Sequence, residues 1–249
     1  MNDVDVEIIN DHILRKYSKT KNGYKRLSRE LLVLKELATS QHTPDLIDHK
    51  DDGLSMSIDM SIINGQSAKE WLKIDAEYDV QPIDWLTAKK RLGQYVKVEM
   101  DLLSRHAMYR DLNLEHLLFT QDRAYLVDHE ATIINTGEAT WNQADFTGTW
   151  ETMAPEEFPE YAVLSSRTAT YRVAVFCHLV LAGKLPFTRY RHSRAQSYAS
   201  RKKQGPTISA ALSRPVQQVF KRALSIKKDH RFKDPLSFFE ALERTFAIM

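Results

Sequence analysis

Apolar and polar residues alternate over positions 4–9 (VDVEII) and again over 12–17 (HILRKY). The Asn10-Asp11 pair between them is a turn signal, so this part of the chain reads as two short strands. The period then changes. In YKRLSRELLVLKELA, residues 24–38, Leu27, Leu31, Leu34 and Ala38 recur at helical spacing and predict one apolar stripe. Glu30 falls on the buried side of that stripe, where a carboxylate needs a partner. PDLIDHKDDGLSMSIDMSII predicts two more strands around a turn at Gly53. NGQS at 64–67 breaks the pattern, and helical sequence follows to about residue 107. Residues 116–120 and 124–128 predict a hairpin around Gln121-Asp122-Arg123. From residue 154 the pattern is helical, interrupted by GKLPF at 183–187 and a polar run over 188–206. A strand-rich part of about 60 residues therefore precedes a larger helical part, which predicts an α+β architecture.

Composition narrows the class. With 249 residues the chain has room for one large domain or two lobes sharing a core. Hydrophobic residues make up 43% and charged residues 27%, values of a globular rather than a disordered chain. A net charge of +2 is too small to imply a nucleic-acid partner. No apolar run reaches the roughly 18 residues of a membrane span, and VAVFCHLVLAG reads as a buried helix. The segment MNDVDVEIIND lacks the basic-then-apolar order of a signal peptide. Cys177 is the single cysteine, which excludes an internal disulfide; with the remaining histidines scattered, a structural zinc site is not expected. Its apolar neighbours Ala174, Val175, Phe176 and Leu179 predict an inert core thiol, in keeping with a reducing, cytoplasmic location.

The stretch MYRDLNLEHLLFTQDRAYLVDHEATII, residues 108–134, carries the candidate chemistry. Asp111 opens a loop, His116 begins the next strand, and Asp128 ends the returning one. A hairpin of this size brings the 111–116 loop beside residue 128. Two carboxylates and an imidazole then converge on one mouth, a set suited to a hard divalent cation held next to a base.

These residues resemble the eukaryotic-type protein kinase superfamily, whose catalytic loop reads H-R-D-L-x-x-x-N and whose metal motif reads D-F-G. Here the loop is Tyr109-Arg110-Asp111-Leu112-Asn113-Leu114-Glu115-His116 and the metal motif is Asp128-His129-Glu130. GTWETMAPEEF at 148–158 resembles the end of an activation segment. LAGKLPF resembles the end of the long central helix, ALSIKKDHRF the closing helical region, and SIINGQSAKEWL the hinge and following helix. The resemblance implies a bilobal fold: an N-lobe over 1–60, a hinge over 61–66, and a helical C-lobe over 67–249. It implies ATP with Mg²⁺ or Mn²⁺, and a protein substrate or binding partner. Asp111 would act as catalytic base with Asn113 beside it. Asp128 and His116 would hold the metal, and Lys16 would grip phosphate while paired to Glu30. Met60 would back the nucleotide pocket, and Ser61, Ile62 and Ile63 would form the hinge. Glu156 would pair with Arg231 as a structural link. Arg110 would receive the phosphate of a modified Thr147 or Thr149. A one-residue slip would place Arg15 rather than Lys16 at the lysine position.

Five departures stand out. About 11 residues precede the lysine strand and none is glycine, so the N-lobe reads as truncated, without a glycine-rich loop: either nucleotide binds under an open roof, or the true start lies upstream. His116 replaces the second metal-binding asparagine, as in bacterial lipopolysaccharide heptose kinases, which this loop also resembles. Glu130 replaces the D-F-G glycine and Asn113 the usual lysine. Ala169 replaces the central-helix aspartate that ties down the catalytic loop, so that loop must be held otherwise. Three functions fit: a divergent Ser/Thr protein kinase, a catalytically impaired pseudokinase acting as scaffold, and a small-molecule or sugar kinase. The basic run RYRHSRAQSYASRKKQG at 189–205 reads as a solvated loop, with docking of an acidic or phosphorylated partner as its second reading.

Overall fold

The computed structural model describes residues 3–74, 80–134, 140–142, 149–158, 161–188 and 194–248. Strands β1 (Asp5–Asn10) and β2 (Ile13–Ser18) pair antiparallel across a tight turn. Asn10 Oδ1 accepts the N–H groups of His12 and Ile13 at 2.9 and 3.0 Å, which closes that turn. Thr20 caps helix α1 (Lys21–Glu36) by accepting the Gly23 N–H. Strands β3 (Leu46–Asp51) and β4 (Met56–Ser61) complete an antiparallel sheet of order β1-β2-β4-β3. α1 lays Leu27, Leu31 and Leu34 onto Met56, Ile58 and Met60 of the sheet, making a small core of its own.

The chain then enters the larger lobe through β5 (Gln66–Ser67) and α2 (Ala68–Leu72), which Ser67 and Glu70 start with a reciprocal capping box. Helix α3 (Trp85–Ser104) follows from an Asp84 cap, then β6 (Ala107–Met108), β7 (Leu117–Phe119), β8 (Ala124–Leu126) and β9 (Ile133–Ile134). β7 pairs with β5 and β8, and β6 with β9. β10 (Thr140–Asn142) pairs with β11 (Tyr161–Val163). Helix α4 (Ser166–Ala182) is buried continuously from Thr168 to Ala182, so its sequence is apolar nearly all round and it forms the axis of the lobe. Gly183 ends it at φ 74°, where a Cβ would stand 2.3 Å from the Val80 carbonyl oxygen; only glycine fits. Helices α5 (Arg194–Gln204), α6 (Arg214–Ala223) and α7 (Pro235–Ala247) complete the lobe, with α3, α4 and α7 packed together.

The architecture is the bilobal α+β arrangement expected, with differences in detail. Helical sequence after residue 67 divides into α2 and α3, because Lys73 adopts a left-handed conformation (φ 51°) that stops α2. The region from 154 opens on a 3-10 turn at Pro155–Glu157 and strand β11 before α4 begins. The basic run expected as a solvated loop contains α5; its residues 189–193 lie outside those described. Arg201 of that helix is 2% exposed, stacked on Phe158 and Phe187, and donates to the Trp150 and Glu151 carbonyls. One of the basic side chains thus faces inward and fastens α5 to the segment before Pro155. Cys177 is buried in α4, and burial pushes its thiol pKa far up. No helix among the described residues is long and apolar enough to cross a membrane.

Candidate active site

The site lies where the sheet of the small lobe meets the β7–β8 hairpin. Period-2 alternation on β2 turns Lys16 toward α1 and Arg15 away from it. Lys16 Nζ lies 2.9 and 2.8 Å from the two oxygens of Glu30, and 3.3 Å from Asp128 Oδ1. Arg15 instead makes a two-pronged pair with Asp59 at 2.6 and 2.7 Å. Burial disfavours the charged lysine, but Glu30 and then Asp128 outweigh it and push its pKa up. The oddly placed carboxylate of the α1 stripe, Glu30, is fully buried and also accepts the His129 backbone N–H at 3.1 Å.

Asp128 has φ 62°, an uncommon conformation for a non-glycine residue and one that turns its side chain into the cleft. Burial acts to raise its pKa, but Lys16 and then His116 hold the carboxyl below its usual range. His116 Nε2 is 3.6 Å from Asp128 Oδ2, and His116 Nδ1 is 3.3 Å from the Tyr109 hydroxyl. Tyr109 donates to the Val127 carbonyl at 2.8 Å, and Val127 N–H donates to the His116 carbonyl at 3.0 Å. These bonds tie the 109–116 loop to the returning strand.

Asp111 Oδ1 accepts two bonds from Thr149, from the N–H at 2.9 Å and from Oγ1 at 2.7 Å. Its other oxygen accepts none among the described residues. Asn113 turns back on the loop: its side-chain oxygen accepts the Glu115 N–H at 3.0 Å. The structure corrects the expectation for Arg110. The side chain is fully buried with Nε 3.4 Å from Glu157 Oε1, so it presents no surface to a phosphate; Thr147 lies outside the described residues, and the Thr149 hydroxyl is bound to Asp111.

His129 packs inside, edge-on to Tyr109 with ring centroids 5.6 Å apart. Its Nε2 lies 2.9 Å from the Leu126 carbonyl, which only accepts, so Nε2 carries the proton and Nδ1 takes the Thr132 hydroxyl bond at 3.1 Å. Burial lowers its pKa to about 4. Glu130 pairs with Arg26 of α1 at 2.5 Å. Burial raises the Glu130 pKa, and the neighbouring Asp128 charge adds to this.

A divalent cation fits this donor set. Oxygens of Glu30, Asp128 and Glu130 lie within 4.8 Å of one another, and hard oxygen donors suit Mg²⁺ or Mn²⁺. Asp128 Oδ1 is buried, with Lys16 Nζ at 3.3 Å as its cationic neighbour.

The expected hinge residues separate by role. Met60 is buried under the sheet. Ser61 is engaged with Asp45 through both its N–H and its hydroxyl, and Ile62 N–H donates to the His12 carbonyl at 2.9 Å. Ile63 N–H finds no acceptor among the described residues, which leaves one donor at the strand edge. Three further apolar residues are turned away from the core near Lys16 and the β7–β8 hairpin. Val6 and Ile8 stand opposite Lys16 and Leu14 in the ladder, share their face, and are 59% and 69% exposed. Leu118, between the buried Leu117 and Phe119, points to the other side of its strand. The signal was available as the alternation of β1 in step with Lys16. Glu156 and Arg231 meet below the site in a bidentate pair at 2.7 and 2.8 Å, with Arg231 1% exposed and its guanidinium 4.7 Å from the Tyr171 ring centre.

No family model matches the chain. It is 26% identical over 225 residues to the serine/threonine-protein kinase PknH of Mycobacterium bovis, covering 87% of this chain and 36% of that protein. The same identity and length hold for PknH of Mycobacterium tuberculosis, of which 34% is covered. The chain thus spans about a third of the length of the curated relatives it matches. Among solved structures, the Cydia pomonella granulovirus kinase PK-1 superposes with a TM-score of 0.73 at 17% identity, over 96% of this chain and 89% of that one. That likeness shows the protein kinase-like fold.

Proposed function

We propose that this chain, which has a protein kinase-like fold, is an ATP-dependent phosphotransferase acting on Ser/Thr hydroxyls of a protein. Residues 61–66 serve as hinge between an N-lobe over 1–60 and a C-lobe over 67–249, and the reducing cytoplasm suits its buried thiol. The observation that carries the reading is Lys16 Nζ held between Glu30 and Asp128 while one oxygen of Asp111 stays open. A cation so fixed is positioned for phosphate oxygens rather than for packing. When bound, Mg²⁺ or Mn²⁺ would supply charge neutralisation at phosphate; Asp128 and His116 would hold it, with the oxygens of Glu30 and Glu130 close by. Lys16 grips the α- and β-phosphates, and Glu30 keeps it aimed. Val6, Ile8 and Leu118 would supply apolar contacts to the base, and the Ile63 N–H would be a donor for it. Asp111 takes the acceptor hydroxyl in a hydrogen bond through its open oxygen, orients it for in-line attack and receives its proton. The PknH relatives, which are serine/threonine-protein kinases, support a protein acceptor.

The test is thermal stabilisation by ATP with Mg²⁺ or Mn²⁺, followed by phosphate transfer from labelled ATP to a Ser/Thr peptide library. Ligand at 100 times its Kd stabilises by about 2.7 kcal/mol. Asp128→Asn is expected to lose the metal-dependent part, and Asp111→Ala to lose transfer while keeping binding. Equal transfer by Asp111→Ala would sink the mechanism.

Glu130 favours a second reading. A carboxylate beside Asp128 opposes phosphate, and a scaffold without transfer activity tolerates it. Nucleotide binding without transfer to any acceptor would select that reading.

A further inference from the structure

We propose that Glu157 and Arg172 are positioning residues for Asp111: a buried ionic relay from α4 to the catalytic loop that holds the loop without any phosphate on the chain. The kinetic part of this inference rests on the phosphotransferase reading; the structural part does not.

The relay is laid out in five contacts. Arg110, next to Asp111, places its Nε 3.4 Å from Glu157 Oε1. Arg172 of α4 places its Nη1 2.9 Å from the same oxygen. Glu157 Oε2 accepts the Ala154 N–H at 2.8 Å. On the far side Arg172 Nη2 stands 3.9 Å from Glu99 Oε2, and Glu99 Oε1 accepts the Tyr95 hydroxyl at 2.7 Å. Arg110, Glu157 and Arg172 are all fully buried, and Glu99 is 1% exposed.

Stability alone does not account for this arrangement. Fully burying two guanidiniums and a carboxylate costs more than apolar side chains of the same volume would. What the ions add is direction, since planar guanidiniums sharing one carboxylate fix its orientation and theirs. The peptide carrying that orientation is Arg110-Asp111. The short segment 149–158 thereby grips the loop from two sides, with Thr149 on Asp111 and Glu157 on Arg110. α4, buried along its length, is the rigid body to which Arg172 ties both. Ala169, where the resemblance leads one to expect the loop-holding aspartate, lies one helical turn before Arg172 on the same helix. Glu157 supplies internally the anion that Arg110 requires.

The experiment starts from wild-type protein shown by intact mass to be free of phosphate. Its amides over 109–117 are expected to exchange slowly. In Glu157→Gln, which keeps shape and removes charge, those amides should exchange about tenfold faster while α4 stays protected. Transfer should show kcat lowered about tenfold or more with the KM for ATP within about twofold. Should Glu157→Gln fail to fold, Arg172→Met decides: it removes the α4 guanidinium from Glu157 and leaves the Arg110 contact, and the same loop-specific exchange is expected. Unchanged 109–117 exchange in a folded variant overturns the proposal. So does fast exchange in phosphate-free wild type, or uniform loosening of the whole lobe with equal losses of kcat and ATP binding. Absence of transfer in the wild type would count against the phosphotransferase reading only, and the exchange data would still judge the relay.

Discussion

Thr149 holds Asp111 through both its backbone N–H and its hydroxyl, at 2.9 and 2.7 Å on a single oxygen. That leaves one carboxylate oxygen open, the one that in the proposed reaction meets the acceptor hydroxyl. Hydrogen bonds to a charged group contribute about 1.5–3 kcal/mol. Thr149→Ala, which keeps the N–H bond alone, is expected to lower kcat/KM for the acceptor about tenfold and leave ATP binding unchanged. Thr149→Ser should retain most of the activity. Steady-state kinetics on the three proteins checks this, and equal losses in Ser and Ala variants would remove the hydroxyl from the mechanism.

Lys16 and Glu30 are a buried pair, so cutting one partner differs from cutting both. Lys16→Met leaves the fully buried Glu30 without its closest cation and should destabilise by about 3–5 kcal/mol. The double variant Lys16→Met/Glu30→Gln keeps an acceptor for the His129 N–H and should recover most of that loss. Neither protein should show stabilisation by Mg·ATP. Denaturant unfolding with and without nucleotide reads both effects. ATP-dependent stabilisation of the double variant would mean that Lys16 does not grip phosphate.

The part of the molecule legible in the sequence is the part governed by short-range pattern. Leu27, Leu31 and Leu34 announced α1 by spacing, and the same spacing exposed Glu30 as an internal carboxylate. Glu156 and Arg231, 75 positions apart, were brought together by the order of motifs rather than by any periodicity. The relay was not legible, because its members come from α3, the 109–116 loop, the turn after Ala154 and α4, and an arginine in a helix normally reads as surface. α5 was hidden for a related reason: a basic, polar stretch carries little apolar signal, and Arg201 enters the interior by stacking on rings supplied by Phe158 and Phe187. Val6 and Ile8 alternate plainly, but their exposure follows from the position of β1 at the sheet edge, which spacing alone does not reveal.

Arg26 and Glu130 connect α1 to the segment that carries Asp128, and the pair has a definite electrostatic consequence. Arg26 offsets a carboxylate that sits beside Asp128. Because the arginine is 41% exposed, the effect is modest, on the order of 1 kcal/mol. Arg26→Met is expected to weaken Mg·ATP binding about fivefold, and adding Glu130→Gln should restore it. Calorimetric titration of the two variants decides. Persistent weakness in the double variant would mean that Glu130 itself helps to hold the ion.

Glu156 fastens the segment that bears Thr149 and Glu157 to the closing region through Arg231, whose guanidinium also reaches the Ser225 and Arg167 carbonyls. Glu156→Ala strands a buried guanidinium and should cost about 3 kcal/mol. Glu156→Gln should cost less, since it still accepts one bond. Urea midpoints for the two variants measure the difference. A change within error for the alanine would show that the carbonyl bonds alone satisfy Arg231.

His129 and His178 are both buried as neutral imidazoles, and both have pKa values lowered by burial to about 4. His178 receives the Ser209 N–H on Nε2 at 3.2 Å and donates from Nδ1 to the Lys184 carbonyl at 2.8 Å, so charging it breaks a bond as well as burying a cation. The unfolded chain takes up these protons near its ordinary value of about 6.5, before the folded chain does. Stability from each histidine is therefore complete above about pH 6.5 and is lost progressively as pH falls toward 4. Within that window each contributes a slope of up to about 1.4 kcal/mol per pH unit. His178→Asn, which keeps a donor for the Lys184 carbonyl and cannot charge, should flatten the fall of unfolding free energy between pH 6.5 and 4 by about one proton's worth. Urea unfolding across that range is the measurement. An unchanged slope in the variant would mean that His178 is already protonated in the folded protein, with its Nε2 no longer accepting from Ser209.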